Sequence, residues 1–190
     1  MSVRKILTIN KTTEMNLIMT RSKKTTVFIA KSAVIAAIYA ALCIVVSPFS
    51  YGMVQCRIAE ALCVLCAFTP TAIYGLTVGC LIANIFSFNP VDMLFGTAAT
   101  LVAAILAYLL RNVKIKGVAW LVPLPAVIVN MAIIGLELQV YFPMGNSGFL
   151  IGYLIQAAAI GIGQIIACYG LGIPLYVFID RTRIKKIITE

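Results

Sequence analysis

Six apolar runs, at 27–47, 54–69, 71–88, 91–110, 117–141 and 149–179, fill most of the 190 residues. A helix needs roughly 20 apolar residues to cross a bilayer core of about 30 Å. The chain is 62% hydrophobic and 11% charged, against about 45–50% and about 25% for soluble domains. A soluble core cannot hide that much apolar surface. The reading is an all-α integral membrane protein of six transmembrane helices, with no room for a soluble domain. The runs are broken by "SPFSYG" (47–52), "TPT" (69–71), "FNPVD" (88–92), "RNVKIKG" (111–117) and "FPMGNSG" (142–148), which are proline, glycine and asparagine clusters of the kind that punctuate elements. The second run is short. The sixth is long, and Gly170, Gly172 and Pro174 are placed to kink it or to begin an interfacial segment.

The net charge of +9 is distributed in clusters. Arg4, Lys5, Lys11, Arg21, Lys23 and Lys24 precede the first run and Lys31 lies in its first turns, Arg111, Lys114 and Lys116 lie in the fourth break, and Arg181, Arg183, Lys185 and Lys186 lie in or beside the tail. Basic clusters beside apolar spans mark the cytoplasmic side. Six spans then place both termini in the cytoplasm, with 47–53, 88–91 and 142–148 outside and free of Lys and Arg. A nucleic-acid partner is excluded, since it calls for a continuous basic face. The expected division is a basic, disordered cytoplasmic leader (1–26), a membrane domain (27–182) and a basic cytoplasmic tail (183–190). The first run is too long for a signal peptide and lacks a small-x-small cleavage site. Met15 and Met19 leave two later starts open.

The chain has no histidine, and so lacks the commonest metal ligand and the commonest general base. Cys63-x-x-Cys66 lies within an apolar run without a second pair, so these thiols read as small hydrophobes; no cofactor or metal is expected. Small residues recur every four positions: Ala33, Ala37 and Ala41 (with Ala36 and Ala40 beside them), Gly75, Gly79 and Ala83, and Ala99, Ala103 and Ala107. Such stripes let helices approach closely in lipid. The first is wide enough to serve an external partner helix as well.

Away from flanks and termini, four charges remain: Arg57, Glu60, Asp92 and Glu137. Charges in spans cost about 2.5–3.5 kcal/mol each on insertion scales and are usually paired or functional. Arg57 and Glu60, at i and i+3, share a helix face and can form a self-neutralising clamp, or they touch a ligand. Asp92 follows Pro90 and suits a helix first turn. Glu137 has no basic residue within a helical turn and is the strongest candidate for ligand contact. Twenty residues beyond Gly117, it lies about 30 Å along a helix, near the outer end of the fifth span. Asn84, Asn89, Gln139 and Asn146 fall in the same zone, with Gln156 in the outer half of the sixth span and Asn130 and Gln164 deeper. Carboxylates and carboxamides converging with aromatics suit a planar, partly cationic molecule with an amidine-like edge, as in guanine. Tyr51, Phe86, Phe88, Tyr141 and Phe142 can stack on such a ring, or form the interfacial aromatic belt.

Taken in order, "QCRIAEAL", "FTPTAIYGLTVGCLIANIF", "PVDMLFGTAATLVAA", "VIVNMAIIGLEL" and "CYGLGIPL" resemble the QueT family over about residues 30–180. These are substrate-binding S-components of energy-coupling factor (ECF) transporters. The resemblance implies six helices in the cell membrane and capture of a queuosine precursor, typically preQ1 (7-aminomethyl-7-deazaguanine), from outside. Delivery follows docking on a transmembrane coupling protein driven by two ATPases. It implies docking through Ala33, Ala37 and Ala41, and polar motif positions at Arg57, Glu60, Asp92 and Glu137. It also implies an acid where this chain has Gln164, a departure that keeps queuine, queuosine and other 7-deazapurines beside preQ1. No G-x-x-x-x-G-K-[ST] is present, in keeping with a non-enzyme whose ATP hydrolysis resides in partners. The candidate ligand set is Glu137, Asp92, Asn84, Asn130, Gln156, Gln164, Arg57, Glu60, Tyr51 and Phe88. The competing readings are a proton-coupled secondary transporter, disfavoured by the lack of internal repeats, and an S-component for another vitamin. An intramembrane enzyme lacks a nucleophile with a base.

Overall fold

The structure, a computed structural model, describes residues 3–46, 57–86, 90–143 and 148–189, with side chains described from residue 21. Its long elements are α1 (Val3–Val45), a 3₁₀ helix (Ile58–Ala67), α2 (Thr71–Phe86), α3 (Pro90–Leu109), α4 (Leu124–Tyr141) and α5 (Phe149–Ile165). A π-helical segment (Ile166–Leu171) then leads into α6 (Gly172–Arg181), and α7 (Ile184–Thr189) closes the chain. No strand occurs among the described residues.

Among the described residues, four helical stretches are long and apolar enough to cross a membrane: 21–45, 90–112, 124–141 and 149–181. The second and third apolar runs form shorter helices, Ile58–Ala67 and Thr71–Phe86. Burial is inverted relative to a soluble protein. Leu94, Leu109, Leu150 and Ile162 point outward, while Arg57, Glu60, Asp92 and Asn130 are buried. An apolar exterior of this extent marks a surface made for lipid.

α1 runs without a break from Val3 to Val45. The helix passes through residue 26, the expected end of the leader. The chain has no glycine or proline before Pro48, so nothing interrupts the helix that the apolar run sustains. α7 folds back on α1, and Lys31 Nζ donates to the carbonyl of Ile188 at 3.2 Å.

The 3₁₀ helix is the centre of the bundle. Every residue from Ala59 to Cys66 is buried. It packs against α1, α2, α3, α6 and the π-helical segment. Outside it, α1 packs on α2, α2 on α3, α3 on α4, and α4 on α5. The long sixth run does bear its irregularity: Pro174 has no N–H to offer the carbonyl of Gly170, and the π-helical turn lies immediately upstream.

The α1–α2 contact depends on glycine. A Cβ at Gly75 would lie 2.6 Å from Ile35 Cβ, and one at Gly79 would lie 2.8 Å from the carbonyl oxygen of Ala36. The stripes of α1 separate accordingly. Ala36 and Ala40 are buried, whereas Ala33, Ala37 and Ala41 are exposed. Gly79→Leu is predicted to destabilise the purified protein by about 1–3 kcal/mol through overpacking, seen as a lower thermal midpoint. Gly170→Ala, with nothing within 4 Å of its added Cβ, should leave the midpoint unchanged or raise it.

Candidate functional site

Two polar groupings lie inside the bundle. The first begins at Arg57, which caps the start of the 3₁₀ helix with φ −77° and ψ 87°. Its Nη2 donates to both carboxylate oxygens of Asp92, at 2.6 and 2.5 Å. Asn84, near the end of α2, donates from Nδ2 to the backbone carbonyl of Asp92 at 2.9 Å. Gly96 leaves room for this knot: a Cβ there would stand 2.6 Å from Asp92 Oδ1 and 2.9 Å from Asn84 Nδ2.

The expected Arg57–Glu60 clamp is not formed. Arg57 is outside helical geometry, so its side chain leaves the face it would share with Glu60 and reaches α3 instead. Glu60 Oε1 accepts from Tyr39 Oη at 2.6 Å and Thr100 Oγ1 at 3.0 Å. Thr100 also contacts Cys80 Sγ at 3.3 Å. Gln164 is buried, and its Oε1 accepts from the Cys168 thiol at 3.5 Å, which also reaches the carbonyl of Glu60 at 3.6 Å. Cys63 and Cys66 are free thiols in the core.

The second grouping is defined by unmet hydrogen-bonding capacity. Both amide atoms of Asn130, Glu137 Oε2, Gln156 Oε1 and Thr97 Oγ1 are buried without a hydrogen-bond partner. Such atoms cost about 1–3 kcal/mol each when left unmet, more for charged groups. Asn130 and Glu137 are seven residues apart on α4, hence on one face, and Glu137 lies within electrostatic reach of Asp92 and Arg57. Gln156 is oriented from one side only, its Nε2 donating to Gln139 Oε1 at 3.0 Å and to the carbonyl of Phe142 at 3.1 Å.

Of the sequence candidates, Arg57, Asp92 and Asn84 are thus brought together as one bonded unit. Glu60 and Gln164 are each held by other groups, and Glu137, Asn130 and Gln156 retain free atoms. Tyr51 and Phe88 lie outside the described residues. Phe86, Tyr141 and Phe142 are exposed, in the manner of interfacial aromatics. Sequence reasoning missed Tyr39, Gly96, Thr97 and Thr100. Gly96 and Thr100 follow Asp92 at i+4 and i+8, a spacing that puts them on its face of α3. Tyr39 gave no signal within its alanine-rich surroundings.

Truncating one member of the Arg57–Asp92 pair leaves the other charge buried. Arg57→Ala and Asp92→Ala should each cost about 3–5 kcal/mol, while the double variant Arg57→Met with Asp92→Leu should recover most of that loss. Folded yield and thermal unfolding of the purified protein measure both.

The family model described as QueT transporter matches residues 29–181. The chain is 38% identical over 90 residues to the queuosine precursor transporter QueT of Lactococcus lactis subsp. cremoris (strain MG1363), covering 46% of this chain and 53% of that protein. The matched region thus spans about half the length of this curated relative. No solved structure matches the chain.

Proposed function

Because the chain belongs to the QueT transporter family, we propose that it is the substrate-binding S-component of an ECF-type importer. It captures a queuosine precursor (preQ1, queuine, queuosine or another 7-deazapurine) from outside and delivers it inward on docking to a coupling protein and two ATPases. The observation that carries the ligand reading is the buried, unsatisfied set Asn130, Glu137, Gln156 and Thr97. Native interiors leave few polar atoms unmet, and these lie on three helices, α3, α4 and α5. A guanine-like base offers the donors and acceptors that they lack. Arg57, Asp92, Asn84, Glu60 and Gln164 form the wall that holds this set in place, and Tyr51 and Phe88 are the proposed stacking partners.

The proposed topology has six spans in the plasma membrane with both termini in the cytoplasm. It draws on the basic clusters at 21–31, 111–116 and 181–186. The exposed stripe Ala33, Ala37 and Ala41 supports docking, since small side chains on an outward face let a partner helix approach closely.

Calorimetry on the detergent-purified protein tests the ligand class, with preQ1, queuine, queuosine and guanine set against riboflavin and thiamine. Tight binding of a deazapurine and none of the vitamins is the expected outcome. Binding of a vitamin instead would refute the substrate assignment. Uptake in cells should require the coupling module; uptake by this chain alone, driven by a proton gradient, would favour a secondary transporter.

A further inference from the structure

The charges within the spans do not balance. Arg57 is the only basic residue between Lys31 and Arg111, and no basic residue lies between Gly117 and Asp180. The same stretches carry Glu60, Asp92 and Glu137. Arg57 is occupied by Asp92. Glu60 is served by the hydroxyls of Tyr39 and Thr100. Glu137 is buried, and its Oε2 has no partner. The stretches 32–110 and 118–179 contain no second cation to give it. A buried carboxylate is held against a positive partner or loses its charge, and a positive partner for Glu137 would have to come from outside the chain. Gln164, at the position where the family resemblance implies an acid, is neutral and engaged with Cys168; it cannot supply the charge.

From this imbalance we infer that Glu137 is the specificity-determining residue that selects a positively charged amine on the 7-substituent of the ligand. Asn130, two turns away on the same face of α4 at about 10 Å, takes the uncharged donor–acceptor edge of the ring. That separation matches a bicyclic base carrying a short amine-bearing arm. The inference rests on the deazapurine reading above and adds a charge rule to it: amines enter, and isosteric neutral bases are rejected.

The test compares 7-aminomethyl-7-deazaguanine with 7-cyano-7-deazaguanine, which has the same ring and an uncharged arm. Affinities are measured by calorimetry on the full-length purified protein and on Glu137→Gln. The wild type should favour the amine by on the order of 10- to 100-fold, the worth of one charge-assisted bond. Glu137→Gln should erase that preference by weakening the amine alone, leaving the affinity for the nitrile within about threefold. Equal affinities in the wild type overturn the inference while leaving the deazapurine reading intact. A preference that survives Glu137→Gln overturns the assignment to Glu137. If neither ligand binds, the deazapurine reading itself fails and takes the inference with it. Should Glu137→Gln not fold, Glu137→Asp withdraws the carboxylate by one methylene and should shrink the preference; an unchanged preference overturns the assignment equally.

Discussion

A guanidinium sealed among apolar helices cannot stand alone, and the arrangement of this bundle follows from how Arg57 is answered. Its counter-charge, Asp92, is thirty-five residues away at the start of another helix. Meeting it fixes the entry of the 3₁₀ helix against α3. Asn84 adds α2 to the same point through the carbonyl of Asp92, and Gly96 keeps the space open. Three elements are thereby registered at one end of the bundle by side chains that lipid cannot solvate. Buried ion pairs of this kind contribute little net stability relative to apolar packing. Their effect here is positional: they leave few alternative ways to assemble the same helices.

That positional role separates the polar residues into two populations. One population is bonded and shapes the interior. The other, on α4 and α5 with Thr97 of α3, retains free hydrogen-bonding atoms. α5 is drawn close to α4 through Gly135, where an added Cβ would lie 3.0 Å from Ala157, and through Gly152, packed against the Gln139 amide. Helices seated this closely leave little freedom to the side chains between them.

Much of the architecture was legible in the apolar runs, because the length of an uncharged segment is set directly by the thickness of the bilayer. The small-residue stripes of α1 and α2 were legible for a related reason: close helix contact admits only a few side chains. The partners of the charges were not. The spacing of Arg57 and Glu60 predicts a local pair only if both residues are helical, and the backbone at Arg57 departs from that geometry. The partnership with Asp92 is a tertiary fact, invisible to any local pattern. The 3₁₀ winding of Ile58–Ala67 was equally hidden, since its composition suits an α-helix as well. Glu137 was legible by elimination, through the absence of any basic neighbour along the chain.

The 3₁₀ helix has a further geometric consequence. With about 2.0 Å rise per residue, ten residues extend about 20 Å, where an α-helix would give about 15 Å. The same winding narrows the cylinder, and Ala59, Ala61, Cys63, Val64, Cys66 and Ala67 add little girth to it. The axis of the bundle is therefore a slender shaft, and economy of width at the centre draws its neighbours inward around it. A conventional α-helix of bulkier residues in that place would push the surrounding helices apart like a thicker hub in a wheel.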